Sequence, residues 1–259
     1  FLLRELRTPE GGFAASLDAD TDGVEGLTYV WTPEQLREVL GDEDGQWAAE
    51  VFTVTDTGTF EHGMSTLQLR EDPEDTARLR RVRESLLAAR AQRPQPPLDD
   101  KVITAWNGMA ITGLVEAATA LDEPAWLDAA GRAAELLVRT HLVDGRLRRG
   151  SRDGVTGDAA GVLEDYGCFA EGLLALYQAT GTQRWLEVAG ELLDTAIELF
   201  SDPEHEGVYH DTASDAEKLV GRPADPADNA SPAGASALTS ALVTASALAG
   251  ADRATRYRA

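Results

Sequence analysis

The sequence is short of cysteine, lysine, methionine and aromatic residues, and the shortages narrow what it can do. A single cysteine, Cys168, leaves no partner for an intrachain disulfide. It falls at a helical position among Tyr166, Phe169 and Leu173, where a buried, inert thiol is expected rather than a nucleophile. The four histidines, His62, His141, His205 and His210, show no metal-ligand spacing, so neither a metal nor another cofactor is expected. His62 and His210 lie in loops with no partner nearby in sequence and are read as exposed. No apolar run approaches the roughly 18 residues needed to cross a bilayer; even 230–251 is mostly Ala, Ser and Thr. Positive charge is scarce: 23 basic residues stand against 45 acidic ones, net −22, which repels nucleic acid and anionic membranes. The expectation is a soluble, cytoplasmic protein with no nucleic-acid or membrane partner. Lysine occurs only as Lys101 and Lys218, so Lys101 draws attention to its neighbours.

Those neighbours are Leu98-Asp99-Asp100-Lys101-Val102-Ile103-Thr104-Ala105-Trp106-Asn107-Gly108, a polar cluster leading into a long apolar segment. The same stretch opens an internal repeat. Shifting the sequence by 59 matches Gly108 to Gly167, Gly113 to Gly172, Leu114 to Leu173, Trp126 to Trp185, Leu127 to Leu186, Ala130 to Ala189 and Gly131 to Gly190. A period near 60 fits two helices of about 15 to 20 residues with two loops. A shift of 69 matches Leu173 to Leu242 and Gly181 to Gly250, extending the pattern once more.

At 259 residues and 43% hydrophobic content, the chain can bury a substantial core in one or two domains. It starts at Phe1 without Met, with 1–6 reading as a helix tail, so a fragment of a longer polypeptide is expected. Residues 13–17 read as extended. Asp18 to Gly26 is a carboxylate-rich loop that lacks the glutamate of a calcium loop, since Tyr29 stands there, and points to a cleft or to water. Residues 27–31 and 64–69 read as strands. Thr32-Pro33 starts a helix ending by Gly41, a short helix covers 46–52, and 73–93 is a charged helix stopped by the 94–97 proline run. The first 97 residues are thus a mixed, insertion-rich segment.

From residue 98 onward the repeated hairpins begin. The spacing predicts an apolar inner helix over 104–121 and an amphipathic outer one over 126–141. After the turn at 144–147 and a polar loop over 148–161, a second pair covers 162–180 and 184–200. Following a long acidic loop, Ser231-Pro232 reads as N-cap and first position of a third inner helix reaching Gly250, with 253–259 beginning its partner. Trp126 and Trp185 are expected in the core.

Hairpins alternating inner and outer helices close into an α/α toroid, whose inner helices begin around one mouth of a central cavity. The fold class is therefore mainly α, a partial six-hairpin barrel with short β insertions in the amino-terminal third. Such a mouth would carry Asp99, Asp100, Lys101, Trp106, Asn107, Glu164, Asp165 and Tyr166. Carboxylates and amides suit sugar hydroxyls, and aromatic rings suit C–H faces. Asp100, Glu164 and Asp165 are the candidates for acid and base. The competing reading makes these acids caps and first-turn residues serving the helix dipoles.

These residues resemble the YyaL-like, spermatogenesis-associated family. The matching segments are 12–13, Leu17-Asp18-Ala19-Asp20, Gly23-Val24-Glu25-Gly26, Tyr29-Val30-Trp31-Thr32, Asp99-Asp100-Lys101 and Thr104-Ala105-Trp106-Asn107-Gly108. Leu163-Glu164-Asp165-Tyr166, Asp211-Thr212-Ala213, Arg222-Pro223 and Asp228-Asn229-Ala230-Ser231-Pro232 continue the series in family order. One departure is Ala233-Gly234-Ala235-Ser236, where the family tends to Ser-Gly-Asn-Ser. The resemblance implies the carboxy-terminal part of a toroid preceded in the family by a thioredoxin-like domain and further hairpins, with kinship to six-hairpin glycosidases and N-acylglucosamine epimerases. Asp20, Glu25, Arg222 and Asn229 join Asp99, Lys101, Trp106, Asn107 and Tyr166 as expected ligand contacts. The functional expectation is a carbohydrate-active enzyme, an epimerase, isomerase or glycoside-cleaving activity on a sugar-like small molecule. The alternative is a non-catalytic ring that binds a glycan or protein. An open half-ring exposes apolar flanks and is expected to meet the remaining amino-terminal part of its polypeptide or another chain.

Overall fold

The computed structural model describes residues 1–218 and 220–258. Contacts divide it into two compact units, one made of Phe1–Ser16 with Asp99–Ala259 and the other of Leu17–Leu98.

In the Leu17–Leu98 unit, a hairpin pairs Asp20 with Glu25 and Thr21 with Val24 around a turn at Asp22 and Gly23, both at positive φ. Helix α1 (Pro33–Leu40) opens with the capping box that Thr32 and Gln35 encode. Helix α2 is Asp42–Val51 and α3 is Thr76–Arg90, the latter capped by the Asp75 carboxylate. Trp31, Leu36, Ala48, Phe52, Val54, Val82 and Leu86 form their core. The strand expected over 27–31 is absent; Trp31 alone bridges to Ser65, which also removes the strand expected over 64–69. The cause is local. Tyr29 and Val30 fold back onto the Gly26 carbonyl, and Arg93, stacked 3.8 Å over the Trp31 ring, donates to the carbonyls of Thr28 and Val30 that a partner strand would need.

In the other unit, α4 (Thr104–Leu121), α6 (Leu163–Thr180) and α8 (Gly234–Leu248) are inner helices, with α6 packed between α4 and α8. Outer helices α5 (Pro124–Thr140), α7 (Gln183–Phe200) and α9 (Ala251–Arg258) return along α4, α6 and α8 respectively. Ala259, the end of the last expected helix, lies outside the described residues. This is the inner-and-outer architecture of an α/α toroid, and the 59-residue repeat is visible in its packing. A Cβ on Gly108 would lie 2.5 Å from the carbonyl group of Cys168, and one on Gly167 would lie 2.5 Å from the Leu238 nitrogen. Equivalent glycines therefore let each inner helix touch the backbone of the next. The helix-ending left-handed residues Asp122 and Gly181 are also 59 apart.

Two departures concern what precedes the inner helices. Helix α8 starts at Gly234 and not at Ser231, because the Asp228 carboxylate takes the Ala233 N–H at 2.8 Å and Gly234 packs against Leu163. The expected polar loop over 148–161 contains strands: Gly150–Arg152 pairs with both Val102–Ile103 and Val155–Thr156, turning at Asp153-Gly154. This small sheet delivers Arg149, Ser151 and Arg152 to the beginnings of α4 and α6.

Candidate functional site at the inner helix termini

Asp165 ties the first turns together. Fully buried, it accepts from the Ala105 N–H of α4 at 3.0 Å, from the Val162 N–H at 2.9 Å and from Arg149 Nη1 at 3.0 Å. Burial pushes its carboxyl upward, against the pull of Arg149 and the two backbone donors. Arg149 also holds Glu164, at 3.2 Å from Nη1, and the Glu164 side chain keeps some exposure.

Down α6, Glu164, Cys168 and Glu171 follow one another about a turn apart. Cys168 clusters with Ala105 of α4 and Ala237 of α8, with Met109 against them, separate from the main core that Tyr166, Phe169 and Leu173 face. Each inner helix thus contributes to one wall. Burial, then the charges of Glu164 and Asp165, push the Cys168 thiol up to about 12, which makes it the inert thiol expected. One turn deeper, Glu171 accepts from Thr244 of α8 at 3.0 Å while burial and the like charge of Glu116 on α4 raise its carboxyl.

The remaining candidates divide by environment. Trp106 is 43% exposed on the first turn of α4. Asp100 pairs with Arg152 and Lys101 with Asp99 just before it. Asn107 is buried, and its amide is spent on the chain: Oδ1 accepts the Phe13 N–H, and Nδ2 donates to the carbonyls of Phe13 and Ile103. Tyr166 is buried against Phe200, its hydroxyl accepting from the Leu147 N–H. Arg222 caps the end of α7, donating to the carbonyls of Leu199 and Thr212. Asn229 is exposed, its N–H donating to the Ser231 carbonyl. Asp20 and Glu25 lie opposite each other in the hairpin of the Leu17–Leu98 unit. Among the described residues no cluster of three or more His, Cys, Asp or Glu side chains can hold a metal, and no helix is long and apolar enough to cross a membrane.

Sequence reading passed over Arg149 and His141. His141 is fully buried, with Nδ1 2.7 Å from Thr104 Oγ1 and Nε2 2.8 Å from Ser151 Oγ. Because the Thr104 hydroxyl donates to the Arg148 carbonyl, the ring is the neutral Nδ1–H tautomer and Nε2 accepts from Ser151. His210, expected exposed, is instead partly buried, with Nε2 3.0 Å from the Asp202 carboxylate.

Burial lowers His141 to about 4 from 6.5. The unfolded chain therefore takes up this proton first, and stability falls as pH drops from about 6.5 through 4, by about 3 kcal/mol in all. Urea unfolding of the wild type and His141→Gln at pH 7 and pH 4 checks this: the variant should lose distinctly less stability on acidification. Equal losses would show that His141 is not buried neutral.

No protein-family model matches the chain. Among curated proteins it is 31% identical to spermatogenesis-associated protein 20 of Mus musculus, over 90% of this chain and 35% of that protein. The Homo sapiens protein of the same name is 30% identical over 86% of this chain and 34% of its own length. Among solved structures, the sugar epimerase from a ruminal bacterium superposes with a TM-score of 0.52 at 15% identity, covering 98% of this chain and 64% of that one, which establishes the likeness of fold. The chain spans about a third of the curated relatives it matches, and over that stretch it is homologous to spermatogenesis-associated protein 20.

Proposed function

We propose that this chain carries part of a carbohydrate-active site, in which a sugar-like ligand sits against the beginnings of the inner helices and Glu164 exchanges a proton with it. The observation that carries this reading is the division of labour between neighbouring acids. Asp165 is buried and occupied by Ala105, Val162 and Arg149, so it positions, whereas Glu164 shares the same arginine and retains access to solvent. Asp100, oriented by Arg152, supplies a second carboxylate, and the exposed Trp106 offers a face for C–H stacking. Asp99, Lys101, Asn229 and Arg222 are the further polar contacts of this reading. The sugar epimerase of like fold supports the choice of ligand class.

The second reading, a ring that binds a glycan or protein without turnover, is favoured by Asn107 and Tyr166, whose polar atoms are used inside the fold. A single experiment separates the two. Mono- and disaccharides are incubated with the protein and followed by NMR for epimerised, isomerised or hydrolysed products. The enzymatic reading expects Glu164→Gln to lower turnover by about 100-fold or more and Asp100→Asn to lower it as well. Turnover unchanged in both variants would overturn the assignment, and saturable binding with no product would select the second reading.

A further inference from the structure

The outer helices carry a feature that the sugar reading does not use. Between α5 and α7 runs a groove of about 680 Å³ whose walls include Asp128, Gly131, Glu135 and Trp185. The equivalent groove between α7 and α9 holds only about 100 Å³. The repeat explains the pairing: Asp128, Gly131 and Glu135 correspond at 59 residues to Glu187, Gly190 and Asp194, and Arg184 corresponds at 69 residues to Arg253.

In the narrow groove, Arg253 lies on Gly190, its guanidinium where a Cβ would otherwise stand, and its Nη2 is 3.0 Å from Asp194. Arg256 pairs with the same carboxylate at 3.0 Å, and the Tyr257 hydroxyl donates to the Gly190 carbonyl. In the wide groove, Arg184 reaches Glu135 at 2.6 Å and lies over the Trp185 ring, but nothing comes within 4 Å of where a Gly131 Cβ would be. Glu187 and Val188 stand where the narrow groove has Arg256 and Tyr257, so the second cation and the covering ring are both missing from this repeat.

We infer that the α5–α7 groove is a docking site for an arginine side chain presented by a protein partner, its guanidinium flat on Gly131 beside Asp128 and Glu135. The chain itself supplies the template, since Arg253 makes this contact one repeat later. A guanidinium suits the place better than an ammonium. It is planar and weakly hydrated, and these properties also let it sit near Arg132 and Arg139, which border the groove.

The test uses a blocked peptide, acetyl-Gly-Arg-Gly-amide, titrated into the isotope-labelled protein, with the lysine peptide as control. A dissociation constant of about 1 mM is expected for so small a probe, with shifts confined to the groove residues. A Cβ at Gly131 meets open space, so Gly131→Leu places its side chain in the groove and, replacing a helical glycine, should fold with an unchanged or higher Tm. Binding to that variant should weaken at least about tenfold, and the lysine peptide should bind distinctly less well. Absence of shifts in the groove, equal binding of the lysine peptide, or undiminished binding to a folded Gly131→Leu would each overturn the inference. None of these outcomes bears on sugar turnover, which is read at the opposite helix layer.

Discussion

Gly108→Ala is expected to cost about 3 kcal/mol or more in urea unfolding, the upper end of what overpacking does in a close-packed interior. The new methyl would stand 2.5 Å from the Cys168 carbonyl carbon and oxygen, and backbone atoms cannot swing aside as a side-chain tip can. Gly167→Ala, 59 residues on, meets the Leu238 nitrogen at the same distance and should cost a similar amount. Gly113→Ala is the internal control: it is also a glycine of α4, but its Cβ site is open, so the alanine should be neutral or stabilise by up to about 1 kcal/mol through helix propensity. Similar small effects at all three positions would mean that the inner helices do not meet through their glycines, and the repeat would lose its structural meaning.

The second large effect belongs to Asp165→Ala, expected to cost about 3 to 5 kcal/mol. Removing the carboxylate leaves the N–H groups of Ala105 and Val162 without an acceptor and Arg149 with Glu164 alone. Asp165→Asn preserves the shape and one acceptor oxygen, so it should fall between the wild type and alanine. Chemical denaturation gives the ranking. If the alanine variant matched the wild type within about 0.5 kcal/mol, Asp165 would not be the tie between α4 and α6. It would then be free to act as the acid or base that Glu164 is proposed to be.

The two substitutions show which parts of this fold were legible in the residues. Helix positions followed from apolar periodicity, and the close approach of the inner helices followed from glycines recurring at 59. Side-chain direction within a first turn did not follow. Trp106 and Asn107 are neighbours in sequence, yet a rotation of about 100° turns one outward and the other toward the backbone of Phe13, 94 residues away. No local pattern announces a partner at that separation. Tyr166 was lost to the core for the same reason, its hydroxyl committed to Leu147. The sheet over 150–156 was legible in principle, because Asp153-Gly154 repeats the Asp144-Gly145 hairpin signal nine residues later. The cap at Asp228 was harder to see, since it reaches the Ala233 N–H from five residues upstream while Ser231-Pro232 offers the more familiar pattern.

The acids at the helix beginnings are held by specific arginines: Asp100 by Arg152, Glu164 and Asp165 by Arg149. The proposed function then rests on how much of each carboxylate those arginines leave available.

Soaking crystals of the protein in a monosaccharide and locating it by difference density tests the proposed sugar site most directly. The sugar is predicted to lie against the Trp106 ring with a hydroxyl within hydrogen-bonding distance of Glu164. A sugar found only among the outer helices, or none at a concentration that saturates binding in solution, would contradict it.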